Sequence, residues 1–407
     1  SASSSNAFII MPAIYSILPK SGTIGTVVEV RGIGYGANDD IIIGFGASGA
    51  LAEGDANANG IFTIHFTTDT QPYGTTTIIA VGVNSALCEG TFFIYPNLYQ
   101  VSPNAGTIGK MVEVRGSGYA SGEAVAVMFG TNMFIQNTTA DSSGYVETVF
   151  NVDTQVYGTT TVKFTGLIAG SAANTFCIMP NIYAVTPTMG TVGTQVEIKG
   201  AGYAATKTVR VDFGDTNSIK TTIADGLGCV STNFTVNVQP YGQKVIRLTG
   251  SSSTVVEDTF TIIPAMYSVT PVSGSVGTVV EVKGSGYAAG DSITIDFGNN
   301  GRIQTAAANG NGYFTASFTV DTQGYGTTTI TASGASSSSA INTFMIVGGI
   351  MVTPNSGTVG TNVYVEGTGF DVQEPININF GTTFAVIILN TDNRGVFTGY
   401  FTVDTQA

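Results

Sequence analysis

The chain has 407 residues, of which 43% are apolar and only 10% charged, with 14 Lys and Arg against 27 Asp and Glu for a net charge of −13. That acidic balance lacks the Lys/Arg clusters through which proteins grip nucleic acid or anionic lipid, so neither is an expected partner. No apolar run reaches the ~18 residues of a membrane helix, so no membrane insertion is expected, and the Gly, Ser and Thr content is that of an exterior β protein.

The chain opens on Asn6-Ala7-Phe8-Ile9-Ile10-Met11-Pro12, which matches Asn174-Thr175-Phe176-Cys177-Ile178-Met179-Pro180 further on. Residues 1–11 therefore read as a closing strand with no sandwich before it. Five copies of one unit follow, marked by Pro19, Pro103, Pro187, Pro271 and Pro354 at separations of 84, 84, 84 and 83 residues. Each proline opens a version of P-x-x-G-[TS]-[IV]-G-x-x-V-[EY]-[VI]-x-G-x-G-[YF]. Such a period, with turn residues every ~8 to 12 positions, predicts a tandem array of small β domains. The boundaries fall at 12–95, 96–179, 180–263 and 264–347, with an incomplete fifth repeat at 348–407.

Within the second repeat, Leu98–Val101 reads as a first strand ended by Pro103, followed by a glycine turn. Met111–Arg115 alternates Val112 and Val114 with Glu113 and Arg115, the pattern of a half-buried antiparallel strand. Ala124–Phe129 is the next strand, then a variable connecting segment around Asn137. Tyr145–Val152, Thr159–Thr165 and Asn174–Ile178 complete a sandwich of about seven strands. Comparing the copies separates the faces: Val28, Val112, Val196, Val280 and Val363 recur as core, while Val27, Met111, Gln195, Val279 and Asn362 drift as surface. The segment D-T-Q-x-Y-G-T-T-T recurs with Tyr73, Tyr157 and Tyr325, and in a variant with Tyr241. These four are expected to be structural corner tyrosines whose hydroxyls bond upstream backbone.

Closing strands run almost directly into the next opening strand, with Pro12, Pro96, Pro180 and Pro264 in the joint; a fixed φ in so short a connection predicts stiffness. The fourth joint, Val347-Gly348-Gly349, has glycine instead and is the expected place for bending. At the far end, Phe401-Thr402-Val403-Asp404-Thr405-Gln406-Ala407 stops before the last two strands of the fifth repeat. Placing Gln406 on Gln323 and Ser1 on Ser337 leaves a gap equivalent to residues 325–336. Two readings stand: a window from a longer array, or donor-strand assembly in which Phe8, Ile9 and Ile10 of one copy meet Phe401 and Val403 of the next.

The P-x-x-G-x-x-G openings, the strands ending in G-x-G-[YF] and in F-G, and the closing F-x-I strands resemble immunoglobulin-like IPT/TIG domains in all five copies. That resemblance implies a β-sandwich of cell-surface proteins, receptors and accessory modules of extracellular enzymes, generally without catalysis of its own. It carries no active-site residues to these positions.

Few residues point to chemistry. Cys88, Cys177 and Cys229 lie in three different repeats and match no metal spacing, so they read as buried, unpaired thiols acting as small apolar residues. The lone His65 occupies a position held elsewhere by Val149, Asn233, Ser317 and Tyr400. Asp55-Ala56-Asn57-Ala58-Asn59-Gly60 begins like a calcium loop, but Phe66 stands where the twelfth-position acid belongs. The series Asp69, Asp153, Asp321 and Asp404 becomes Asn237 in the third repeat and leaves weak calcium binding open; no other cofactor or metal is expected. Lys199 and Lys283, with Arg31, Arg115 and Glu366 as counterparts, read as outward charges rather than isopeptide donors. Asn137-Thr138-Thr139 and Asn233-Phe234-Thr235 are N-glycosylation sequons on outward positions. No catalytic set assembles, so no enzyme is expected. The chain reads as an extracellular, cell-surface structural protein, a rod-like subunit of a filament, sheath or surface layer whose partners are copies of itself head to tail. The runner-up is an adhesin stalk or a carbohydrate-binding array facing surface glycans, and after it an accessory region of a larger surface protein.

Overall fold

The computed structural model describes residues 8–252 and 254–406 and contains β-strands and turns only. In the first repeat the strands are β1 (Ala13–Leu18), β2 (Ser21–Gly22), β3 (Val27–Ile33), β4 (Asp40–Phe45), β5 (Ser48–Asp55), β6 (Phe62–Thr67), β7 (Gly74–Gly82) and β8 (Cys88–Ile94). One sheet has the order β1-β3-β6 and the facing sheet the order β2-β8-β7-β4-β5. The first strand is thus divided: β1 pairs antiparallel with β3, the chain crosses at a cis Leu18-Pro19 bond, and β2 pairs parallel with β8. All five marker prolines follow a cis bond at this crossing. Repeats two to four reproduce both sheets, which makes the protein a tandem array of immunoglobulin-like β-sandwiches.

Alternation puts one side of each strand inward. Val28, Val112, Val196 and Val280 are fully buried, and Val363 nearly so, whereas Val27, Met111 and Val279 beside them are about 60% exposed. Each core of the four complete repeats centres on three rings brought together from three strands. Phe45 lies 5.2 Å from Phe66 and 5.8 Å from Phe92, and Phe129, Phe213 and Phe297 gather the same partners in their own repeats. Edge-to-face pairs add about 0.5–1.5 kcal/mol each beyond the apolar area they bury.

One element differs from expectation. Asn137 lies in a strand, Asn132–Thr139, which pairs with Ala124–Phe129 and places Asn137 opposite Ala126. Each of the four complete repeats has this strand at the edge of its larger sheet. An edge strand buries little of either face, so its residues drift between copies and show no clean alternation.

The fifth repeat has a three-stranded sheet of Gly349–Thr353, Asn362–Thr368 and Phe397–Thr402 and a two-stranded sheet of Pro375–Phe380 and Thr383–Asn390. Strands of the β7 and β8 type are not among its described residues.

The joints carry three recurring contacts made by backbone. The Tyr73 N–H donates to the Tyr119 carbonyl of the next repeat at 3.0 Å, and Tyr157, Tyr241 and Tyr325 donate likewise to Tyr203, Tyr287 and Phe370. The G-x-G turn lies against the connecting residues, so that a Cβ on Gly202 or Gly286 would come within 2.6 Å of the Met179 or Ile263 carbonyl. A second glycine, Gly144, has φ +77 and would set a Cβ 2.8 Å from the Pro72 Cα of the preceding repeat. The fourth joint has the same set, with Gly369 against the Val347 carbonyl and Gly395 against the Gly324 Cα. Its glycines also answer close approach: a Cβ on Gly348 would meet the Phe370 ring at 3.1 Å.

Candidate functional site

The open side of the fifth sandwich is a groove of about 590 Å³. Ile350, Val352, Val365, Ile378, Phe380 and Phe401 line it, with Val403 at one end. These are core positions. Phe380 keeps one ring neighbour, Phe401 at 5.3 Å, but not the β8-type phenylalanine that completes the cluster elsewhere. Ile350 is 58% exposed, while its counterpart Met266 in the fourth repeat is 7% exposed. In complete repeats the missing ring comes from Phe92, Phe176, Phe260 or Phe344, and the isoleucine two residues on, Ile94, Ile178, Ile262 or Ile346, is buried with it.

Phe8 and Ile10 stand in that same register. They are 92% and 70% exposed, Ile9 is 79% exposed, and none belongs to a strand. Their relation to the sandwich that follows them is already that of a closing strand. A Cβ on Gly34 would meet the Met11 carbonyl at 2.7 Å and Ile10 Cγ2 at 3.2 Å, and one on Gly369 would meet Val347 and Ile346 at 2.7 and 3.1 Å. Complete repeats also define the bonds a closing strand makes to β2: Phe93 N–H to the Lys20 carbonyl at 3.0 Å and Tyr95 N–H to the Gly22 carbonyl at 2.8 Å. The corresponding acceptors in the fifth repeat belong to Asn355 and Gly357, beside the groove.

The four D-T-Q-x-Y tyrosines are half-buried or exposed and act through the main-chain bonds described at the joints. A buried hydroxyl bonded to backbone is found instead at two of the four G-x-G-Y tyrosines: Tyr35 and Tyr287 donate to the carbonyls of Ala80 and Ala332, both at 3.0 Å, while the hydroxyls of Tyr119 and Tyr203 have no partner among the described residues. Side-chain burial distinguishes the two sets, since only the second lies inside a sandwich, where an unmet hydroxyl is costly.

The aspartate series serves the turn between the β4- and β5-type strands. Gln155 Nε2 donates to Asp153 at 2.9 Å and to the Phe129 carbonyl at 3.4 Å, while Gln155 Oε1 accepts the Thr131 N–H. Asp69, Asp321 and Asp404 hold Gln71, Gln323 and Gln406, and Asn237 holds Gln239. Thr383 and Gln406 keep the Asp404 carboxyl below the usual carboxylate range. Asn57 of the loop that begins like a calcium site accepts the N–H groups of Asn59 and Ile61, the bonding of a side-chain-closed turn. No group of three or more His, Cys, Asp or Glu forms a metal-type cluster among the described residues.

Asn137 and Asn233 are exposed on strands. The three cysteines are free but half-buried rather than buried, and Cys88 Sγ lies 2.8 Å from the Tyr35 hydroxyl. His65 lies 3.4 Å from Glu29 on the outer face of the smaller sheet.

That outer face carries a feature that reading the repeats for core and turns passed over. Tyr15, Tyr99, Tyr183 and Tyr267 occupy one position in the first strand of each complete repeat and are 41–57% exposed. Each is the extra residue of a β-bulge: pairing skips from Ile14 to Ser16, from Leu98 to Gln100, from Ile182 to Ala184 and from Met266 to Ser268. The strand Gly349–Thr353 pairs without a bulge and has no such tyrosine. The one-residue shortening of the last proline interval was the signal.

No known family model matches the chain, and no curated protein matches it at the level of sequence. Solved structures with a similar arrangement include a tetra-tandem repeat from the extending region of a large adhesion protein, 13% identical over 83% of this chain and 98% of that one, with a TM-score of 0.23. A bacterial integrin-binding invasin is 12% identical over 84% and 80% of the two chains, with a TM-score of 0.21. A four-domain ectodomain fragment of ICAM-5 is 12% identical over 83% and 99%, with a TM-score of 0.22.

Proposed function

We propose that this chain is a mechanical component of a cell exterior, a stiff array of IPT/TIG-like sandwiches that joins copies of itself head to tail. The observation that carries the reading is the match between groove and strand. Among its described residues the fifth sandwich has no Phe-x-Ile strand, and Phe8 and Ile10 are an exposed Phe-x-Ile pair in the register that fills this space in four other repeats. Burying those two side chains is worth about 1.5–3 kcal/mol each, and the Ile9 and Met11 N–H groups reach the Asn355 and Gly357 carbonyls as in every complete repeat. These residues would take the β8-type place beside Asn355 and Gly357; a β7-type strand is not among them. The joint contacts support the mechanical part, because a bond between main chains and two glycine close approaches per joint resist bending without depending on particular side chains. The low charge and the Ser/Thr-rich strands fit an exterior surface, and the sequons at Asn137 and Asn233 fit glycosylation there.

Disulfide trapping tests the register. Phe93 and Ser21 are paired in the complete first repeat, so Ile9→Cys on one chain and Ser356→Cys on another, with the native cysteines replaced, should cross-link when mixed. The expected product is a covalent dimer containing both variants, and long filaments of wild-type protein by electron microscopy. Variants that stay unlinked under mild oxidation, with filaments absent, overturn the reading in favour of a stalk.

A further inference from the structure

The bulge tyrosines point to a second contact, sideways rather than end to end. A β-bulge at a sheet edge re-aims a side chain, and in four repeats the added residue is tyrosine while exposed neighbours such as Val27, Met111 and Gln195 have drifted. On the adjacent β3-type strand a base lies beside each tyrosine, with an acid two residues before it: Glu29 and Arg31 at 2.8 Å, Glu113 and Arg115 at 2.5 Å, Glu197 and Lys199 at 3.2 Å, Glu281 and Lys283 at 2.8 Å. The Arg31 guanidinium also sits beside the Tyr15 hydroxyl. Residues two apart on a strand are ~7 Å apart, so these pairs make a row of small dipoles. The chain as a whole carries −13, yet this strip is close to neutral, with exposed Val27, Met111 and Val279 around it.

We infer that the outer face of the smaller sheet, centred on Tyr15, Tyr99, Tyr183 and Tyr267, is a lateral docking surface for a second copy of this chain laid antiparallel. A two-fold axis between the acid and base positions sets the Glu of one copy opposite the Arg or Lys of the other, and the tyrosine rings meet beside them. Tyrosine, arginine and methionine on a neutral strip match the composition of protein interface cores. A glycan on Asn233 would stand on this face in the third repeat and confine docking to the others.

Sedimentation velocity of the full chain with Phe8→Ser and Ile10→Ser, which removes the end contact, tests the inference. The expected result is a concentration-dependent dimer, weakened at least ~30-fold by replacing all four bulge tyrosines with serine while the circular dichroism stays unchanged. Two further chains distinguish docking from loss of fold: R31E, R115E, K199E and K283E together, and E29K, E113K, E197K and E281K together. Each alone should be monomeric, and their mixture should dimerise. A parent chain that stays monomeric at high concentration, or a mixture of the charge variants that does not associate, overturns the inference.

Discussion

Tyr203 and Tyr287 occupy one position in successive sandwiches, both buried, yet only the Tyr287 hydroxyl has a partner, and the Tyr203 hydroxyl lies without one among the described residues. A neutral hydrogen bond to a carbonyl contributes about 1 kcal/mol net, whereas removing an unmet hydroxyl costs little. Tyr287→Phe is therefore expected to lower the stability of the fourth repeat by about 1 kcal/mol, and Tyr203→Phe to leave the third unchanged or slightly firmer. Native-state hydrogen exchange reads the two repeats separately. Phe370 shows that the fifth repeat already does without the hydroxyl.

The carboxylates give the acid limb. A Ser85 hydroxyl holds the buried Asp39 below the usual range, Ser143 does so for Asp141, and Tyr145 followed by Arg115 does so for Glu147. Groups whose folded pKa lies below the unfolded value contribute fully above the ordinary carboxylate range and lose that contribution as pH falls through the lowered folded values. The thermal midpoint should be flat from neutral pH to about pH 5 and fall steadily below about pH 4. A midpoint that rises on acidification would show that repulsion within the −13 chain outweighs these bonds.

At the scale of strands and joints, the bulge and the glycine contacts make separate predictions. Deleting Tyr183 converts the first strand of the third repeat to the unbulged register of Gly349–Thr353. Because that register closes a sheet in the same chain, the deletion is expected to fold and to change stability by no more than about 1 kcal/mol, read by denaturant titration. The joint is less forgiving. Gly144→Ala forces a side chain into φ +77, against the Tyr119 carbonyl that accepts the Tyr73 N–H and against the Pro72 Cα, so it should weaken the first joint by about 1–3 kcal/mol, with faster exchange of the Tyr73 amide. Unchanged protection of Tyr73 would mean that this bond does not report on the joint.

For the molecule as a whole, the two proposed contacts use different surfaces, the fifth groove for length and the tyrosine face for width. They also differ in salt response. End joining rests on buried rings and backbone bonds and should survive ~1 M salt, where the Debye length is ~3 Å, whereas the paired charges of the lateral face should weaken. Electron microscopy at low and high salt would then show bundles giving way to single filaments of the same repeat; filaments that lose length instead would point to an electrostatic end contact.

Much of this was legible in the chain. The proline and glycine period marked five copies, alternation separated Val28 from Val27 and their counterparts, and the G-x-G-[YF] and F-G turns located strand ends, because local backbone geometry and one-sided burial leave a residue-by-residue imprint. Three things depended on folding. The strand at Asn132–Thr139 is defined by pairing at an edge and leaves no hydrophobic alternation. Which tyrosine bonds its hydroxyl inside the sandwich and which lends its N–H to the next repeat depends on which side of the chain meets a neighbour. And the meaning of the single residue missing before Pro354 emerged only from strand register, since pairing across β1 and β3, not order along the chain, decides that the extra residue is a bulge and that its tyrosine faces outward.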